Sequence, residues 1–233
     1  LSKEDKYTFA FKQLTEDLGI SSDIKRIETF DVSHFSGDNA IASCVVFSKE
    51  GSQKKSYRLY NIPREVSGND IGSLENVIKR RLKYFDNKDI KPDLIVIDGG
   101  KAQLKFTQGI VKNSVHSDIK VISIAKGGNR VRATETIFSI HGVVEFDKYS
   151  KSYLLLQEMR DEAHRFAISA QRKKKKNSIK KSKLDLVPGI GQVLKKRLLN
   201  QFKNIKSVSN ASIEDLMTIN GINEKIAQEI KTI

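Results

Sequence analysis

The chain has one cysteine, three prolines, two methionines and no tryptophan in 233 residues. A lone thiol, Cys44, excludes an intramolecular disulfide and a multi-cysteine zinc site, and suits the reducing cytoplasm. Long hydrophobic runs are missing too. No stretch approaches the ~20 apolar residues of a membrane span, and the basic residues lie on no amphipathic membrane helix, so no membrane partner is expected. The first residue is Leu1, with no initiator Met and no signal-peptide pattern, so a cytoplasmic fragment of a longer protein is expected.

What the chain has in excess is positive charge. Lys and Arg number 42 against 28 Asp and Glu, for a formal charge of +14 and a pI near 9.7. Such a surplus favours a polyanionic partner, because each phosphate neutralised releases condensed counterions. Nucleic acid is the leading candidate.

The length allows one or two domains. Residues 1–22 read as a charged, mildly helical lead-in ended by Gly19. Three strand-like runs follow, KRIETFDVS, AIASCVVFS and KSYRLYNI, joined by the turn formers HFSGDN and KEGSQK, which predicts an antiparallel meander. From Asp70 to Phe85 apolar residues recur at helical spacing. PDLIVIDGG has the pattern of a buried parallel strand delivering an acid to its C-terminal edge. A helix (KAQLKFTQGIVKN), a buried strand (KVISIA), a hairpin around His141-Gly142 and a long helix from about Tyr149 to Gln171 complete a mixed α/β module over 23–172, one sheet with flanking helices. Residues 173–183, almost devoid of apolar side chains, read as a solvated basic linker. Over 184–233, LVPGIGQVLKKRLLNQF and LMTINGINEKIAQEIKTI form an internal repeat of small helices.

Two acids end strands: Asp31 in FDVSH and Asp98 in IVIDGG. On central strands of one sheet they stand side by side, a hard oxygen site apt for Mg²⁺ or Mn²⁺. Taken singly, each can equally start a turn or cap a helix. His164 lies off the apolar stripe of Leu155, Met159, Ala163, Phe166 and Ala170, so it is no core histidine. It is either a solvated surface residue or a ligand or proton shuttle brought to the sheet edge by its helix.

FDVSH with the following Gly37, then IDGGKAQL, then RDEAHRFAI, in this order and spacing, closely resemble the C-terminal half of the UvrC family of nucleotide excision repair nuclease subunits. The resemblance runs from about Arg26 to the C-terminus. It implies an RNase H-like endonuclease domain followed by tandem helix-hairpin-helix motifs, making the incision 5′ to a lesion. It also implies a catalytic, metal-binding set of Asp31, Asp98 and His164, a Mg²⁺ or Mn²⁺ cofactor, damaged double-stranded DNA as substrate and a UvrB-type damage-loading helicase as partner. Asp70 matches a further acid of the family. Ala102 stands where glycine is usual, and Phe35-Ser36 depart from the pattern in a loop.

In a helix-hairpin-helix unit, a hairpin with Gly189 and Gly191 brings backbone N–H groups at a helix N-terminus against phosphate without reading bases. Lys195, Lys196 and Arg197 follow as phosphate contacts. The second hairpin has Gly221 but Asn223 in place of the second glycine, which predicts a weaker grip. Arg165, Arg172, Lys173 and Lys174 are further candidates for DNA contact. Lys101 and Gln103 either reach phosphate or orient the site. Tyr57 and Tyr60 either flank the DNA or pack. His34 is a candidate neighbour of Asp31, and the loop AKGGNR, 125–130, a backbone contact without P-loop spacing. Two other readings compete: another RNase H-like nuclease that cuts junctions or RNA, and a non-catalytic DNA-binding scaffold whose acids are caps.

Overall fold

The computed structural model describes residues 3–33, 41–63, 65, 69–85, 90–126, 135–179 and 183–232. His34, Gly37, Phe35-Ser36 and residues 127–130 of the basic loop lie outside the described residues. The chain divides into two compact units, Leu1–Gln171 and Arg172–Ile233.

The first unit is built on one sheet. Its strands are β1 (Arg26–Ser33), β2 (Ile41–Ser48), β3 (Gly51–Ser52), β4 (Arg58–Asn61), β5 (Leu94–Asp98), β6 (Lys120–Lys126), β7 (Glu135–Ser139) and β8 (Gly142–Val144). Among the described residues the order is β3-β2-β1-β5-β6-β7-β8, with β4 also pairing β2. The predicted meander is there, with the short strand β3 inside the predicted turn KEGSQK, and the third run reduced to β4 after a 3-10 turn at Lys54–Ser56. β1, β5 and β6 are parallel, and the near-continuous apolar sequence of β5 and β6 follows from burial on both faces. This is the mixed sheet with flanking helices that the sequence predicts.

Two helices cover one face. α2 (Asp70–Phe85) buries Leu74, Val77, Ile78, Leu82 and Phe85. It packs beside α3 (Lys101–Lys112). On the other face lie α1 (Lys3–Asp17) and α4 (Lys151–Ile179). Two expectations are corrected here. The lead-in is part of the domain: Tyr7, Ala10, Phe11 and Leu14 of α1 are buried in its core. Gln13 moreover caps α4, its Oε1 accepting from the N–H groups of Lys151 and Ser152 at 3.0 and 3.3 Å. The basic run also does not begin as coil. α4 continues through Arg172 and Lys173 to Ile179, because Lys and Arg are good helix formers that extend an established helix at little cost.

The second unit is all helical: a 3-10 turn at Lys183–Leu186, then α5 (Gln192–Phe202), α6 (Ile205–Asn210), α7 (Ile213–Met217) and α8 (Glu224–Lys231). Its core holds Leu184, Val187, Ile190, Leu194, Leu198, Val208, Leu216, Ile219, Ile222, Ala227 and Ile230. No helix among the described residues is long and apolar enough to cross a membrane.

Candidate active site

The site begins with strand register. Phe30 of β1 pairs with Ile97 of β5 in the parallel ladder, so the next residues, Asp31 and Asp98, stand level on adjacent strands and point to the same face. That face is the one α4 crosses. Asp31 is buried and Asp98 half-buried.

His164 reaches the same edge from α4. Its Nδ1 lies 3.2 Å from Asp31 Oδ2, and its side chain remains 52% exposed against 8% for Asp31. When Nδ1–H donates to the carboxylate, Nε2 becomes the basic nitrogen of the ring. The solvated-surface alternative for His164 therefore gives way to a specific contact with the first strand-end acid.

The motif around His164 is a set of fastenings. Arg160 pairs with Glu135 on β7 and with Asp161. Glu162 accepts from the Tyr57 hydroxyl at 3.1 Å and from Arg165 at 2.6 and 2.8 Å. The Phe166 ring stands edge-on to Tyr57 at 5.1 Å. Tyr57 and Tyr60 are thus packing residues, both nearly buried. Arg165 is exposed, but its guanidinium is engaged by Glu162.

α3 starts where β5 delivers Asp98. Gln103 folds back over the turn: its Oε1 accepts from Gly100 N–H at 3.0 Å, and a Cβ on Gly99 would lie 3.2 Å from its side-chain carbons. Gln103 therefore shapes the turn behind Asp98. The Lys101 ammonium lies over the Phe138 ring at 5.2 Å. Asp70 is the exposed first residue of α2, whose start is capped by Asn69 Oδ1 accepting from Ile71 and Gly72 N–H. Phe85 at the far end of α2 meets His116, which precedes β6, so α2 runs away from the edge that carries Asp31 and Asp98. Asp70 thus stands toward that edge, on the opposite face of the sheet from α4.

Among the described residues, no three His, Cys, Asp or Glu side chains are grouped closely enough to enclose a metal by themselves. Two level carboxylates nevertheless fit Mg²⁺ or Mn²⁺. Such ions are commonly held by one or two carboxylates, with water and substrate phosphate filling the remaining positions.

On the opposite face the sequence reading missed a buried charge cluster. Glu28, fully buried, accepts from Arg81 Nε at 2.8 Å and Nη2 at 2.6 Å, and from Arg26 at 2.9 Å. Cys44 Sγ lies 3.6 Å from Glu28 Oε2, the oxygen that also accepts from Arg81 Nε. The only sequence signal is a pair of charges, Glu28 and Arg81, at positions whose periodicity faces inward.

In the second unit the hairpin glycines are needed for their backbone: Gly189 and Gly221 have φ of +92° and +103°. Gly191 is the N-cap of α5 and makes no side-chain cap, leaving first-turn N–H groups facing outward. At α8, Asn223 takes that place and its Oδ1 accepts from Ile226 N–H at 2.9 Å. One donor is thereby consumed that its counterpart in α5 keeps. Lys196 and Arg197 are exposed, and Arg197 donates to Asn220 O at 2.7 Å. Lys195 is not: it is turned inward and paired with Asp185 at 2.6 and 2.8 Å. It shares the buried side of α5 with Leu194 and Leu198. Arg172 and Lys173 are exposed on α4; the side chain of Lys174 lies outside the described residues.

Comparison with known families and proteins identifies both units. Residues 15–168 match the UvrC RNase H endonuclease domain, and residues 181–232 a SAM-like helix-hairpin-helix tandem. The UvrABC system protein C of Francisella tularensis subsp. mediasiatica is 35% identical over 98% of this chain and 38% of its own length. That of Nitrosococcus oceani is 38% identical over 99% and 38%. The chain thus spans about two fifths of the relatives it matches. Endonuclease V of Streptomyces avermitilis is a distant likeness, 14% identical over 75% of this chain and 96% of its own, with a TM-score of 0.37.

Proposed function

Because the chain belongs to the UvrC RNase H endonuclease family, we propose that it is the incision portion of a nucleotide excision repair nuclease, cutting DNA 5′ to a lesion by phosphodiester hydrolysis. The observation that carries this reading is the convergence on one sheet edge of Asp31, Asp98 and the α4 residue His164, in a chain whose second unit carries two glycine hairpins, each leading into a helix.

Asp31 and Asp98 would hold Mg²⁺ or Mn²⁺. A divalent cation bound there supplies charge to polarise the phosphodiester and to acidify water. Asp31 also orients His164, fixing the tautomer in which Nε2 receives a proton or delivers one to the leaving oxygen. Asp70 stands in reserve as a further acid toward the same edge. Gln103 holds the turn that carries Asp98. The α5 N-terminus, Lys196 and Arg197 grip the backbone without reading sequence, so lesion choice falls to a damage-loading partner of the UvrB type. Such work suits the cytoplasm.

The test is nicking of a lesion-bearing or bubble duplex with Mn²⁺, alongside an RNA–DNA hybrid and a four-way junction. Cleavage by the wild-type chain that is lost in Asp31→Ala, Asp98→Ala and His164→Ala supports the assignment. Full activity in the two aspartate variants refutes it, and preference for hybrid or junction moves the chain to a different nuclease class.

A further inference from the structure

Ser43 has no place in the chemistry above, yet its position is demanding. β2 is an otherwise apolar buried run from Ile41 to Phe47, and Ser43 in its middle has no exposed surface. A hydroxyl there carries a desolvation penalty that alanine or valine would avoid. The penalty is offset by one bond: Ser43 Oγ donates to the carbonyl of Ala163 at 2.8 Å, across 120 positions of sequence.

Both ends of that bond adjoin the candidate site. Ser43 is the antiparallel partner of Asp31, so the two side chains rise from neighbouring strands on the face that α4 crosses. Ala163 immediately precedes His164. Turning α4 by one residue swings a side chain by about 100° and would carry the imidazole away from Asp31. The apolar residues Leu155, Met159, Ala163 and Ala167 hold α4 on the sheet, but burial is non-directional and tolerates sliding. A hydrogen bond does not tolerate it, since its strength falls steeply with distance and angle.

We propose that Ser43 is a positioning residue for the hydrolytic site, setting the register of α4 so that His164 meets Asp31. The Arg160–Glu135 pair fastens the same helix to β7 and the Tyr57–Glu162 bond ties it beside β4, but only the Ser43 bond is made by the residue directly before His164. This rests on the nuclease reading for its kinetic consequence and on geometry alone for the placement.

The experiment uses the full chain. Wild type and Asp31→Ala establish whether the protein cuts, which decides the nuclease reading separately. Given cutting, Ser43→Ala is expected to lower turnover at least tenfold while KM for the DNA stays within twofold, and Ser43→Thr, which keeps the hydroxyl, to recover most of the loss. Turnover in Ser43→Ala within threefold of wild type overturns the proposal. So does a loss that Ser43→Thr fails to relieve while remaining folded. If the wild-type chain does not cut, the crystal structure of Ser43→Ala decides: displacement of His164 beyond hydrogen-bond reach of Asp31 supports the proposal, and an unchanged contact overturns it.

Discussion

Gly221 lies beneath Leu194: a Cβ on the glycine would come within 3.1 Å of the leucine Cδ1. Gly189 stands in the same relation to Ile226, also at 3.1 Å. Gly189 and Gly221 occupy equivalent places in the repeat, and so do Leu194 and Ile226. Each hairpin is therefore the seat for the other's first-turn side chain, and the two motifs stabilise each other across an approximate twofold relation. A lone copy would leave one apolar residue and one glycine turn without a partner.

From this follows an asymmetry among the glycines. Gly189→Ala and Gly221→Ala meet both an unfavourable positive φ and a side chain at close range, and each is expected to destabilise the helical unit by ~1–3 kcal/mol. Gly191→Ala, with φ of −84° and nothing near its Cβ, gives up at most a modest cap preference, about 0.5–1 kcal/mol. Urea titration followed through the helical signal of the unit orders the three. Equal losses would show that the reciprocal packing is unimportant.

The lysines of α5 divide in the same way. Lys196 is exposed beside the uncapped helix start, so Lys196→Ala is expected to reduce the slope of log K against log salt for duplex binding by about 1. Lys195→Ala leaves that slope unchanged and destabilises the unit by roughly 1–2 kcal/mol, because the buried stem of Lys195 and its ion pair with the exposed Asp185 are both lost. A salt slope that falls for Lys195→Ala and not for Lys196→Ala would reverse the assignment.

That division was not legible in the run LKKRLL. Adjacent lysines look alike in composition, and only the helical phase set by Leu194 and Leu198, with Asp185 ten positions upstream, tells the inward one from the outward one. The main strands, the α2 helix and the level placement of Asp31 and Asp98 were legible, because alternation and run length set β1 and β5 side by side even though the acid-glycine ending alone also fits a turn. The contact of His164 with Asp31 was readable only as an option. It depends on the seating of α4, whose ties to Ser43, Tyr57, Gln13 and Glu135 come from distant parts of the chain and carry no local signature. The fate of α1 was missed for a related reason: a short amphipathic helix at a chain start has the same sequence pattern whether it docks or not.

Part of the fold's acid sensitivity should lie beside Arg165. The Glu162 carboxyl is held below the ordinary glutamate range, first by its hydrogen bond from Arg165, then against the opposing effect of burial by the Tyr57 hydroxyl and the Arg165 charge. A depressed carboxyl stabilises the fold above its unfolded-state value, and that contribution is lost as pH falls through the folded one. Arg165→Ala is expected to raise the Glu162 pKa, observable as a shift in its side-chain carbon titration, and to narrow the acid range over which this contribution is lost. An unmoved titration would show that Arg165 is not its main support.

The buried cluster behind the sheet makes the last prediction. Burial first, and then the negative charge of Glu28, push the Cys44 thiol well above the usual thiol range, with Arg81 and Arg26 acting in the opposite sense. The thiolate is the reactive form, so in the native chain Cys44 should resist iodoacetamide at pH 8 and become alkylated only at the rate of unfolding. Arg81→Met removes the two-pronged partner of a fully buried carboxylate and leaves it Arg26 and the weak Cys44 thiol donor, at an expected cost of ~3–5 kcal/mol. Opening becomes more frequent by the same free energy, so alkylation of Cys44 should accelerate about 100-fold or more in that variant where labelling follows the open population. Mass spectrometry of the alkylated chain over time measures both. Rapid labelling of native wild type, or an Arg81→Met variant that labels no faster, would show that the Glu28–Arg81 pair does not secure this side of the sheet.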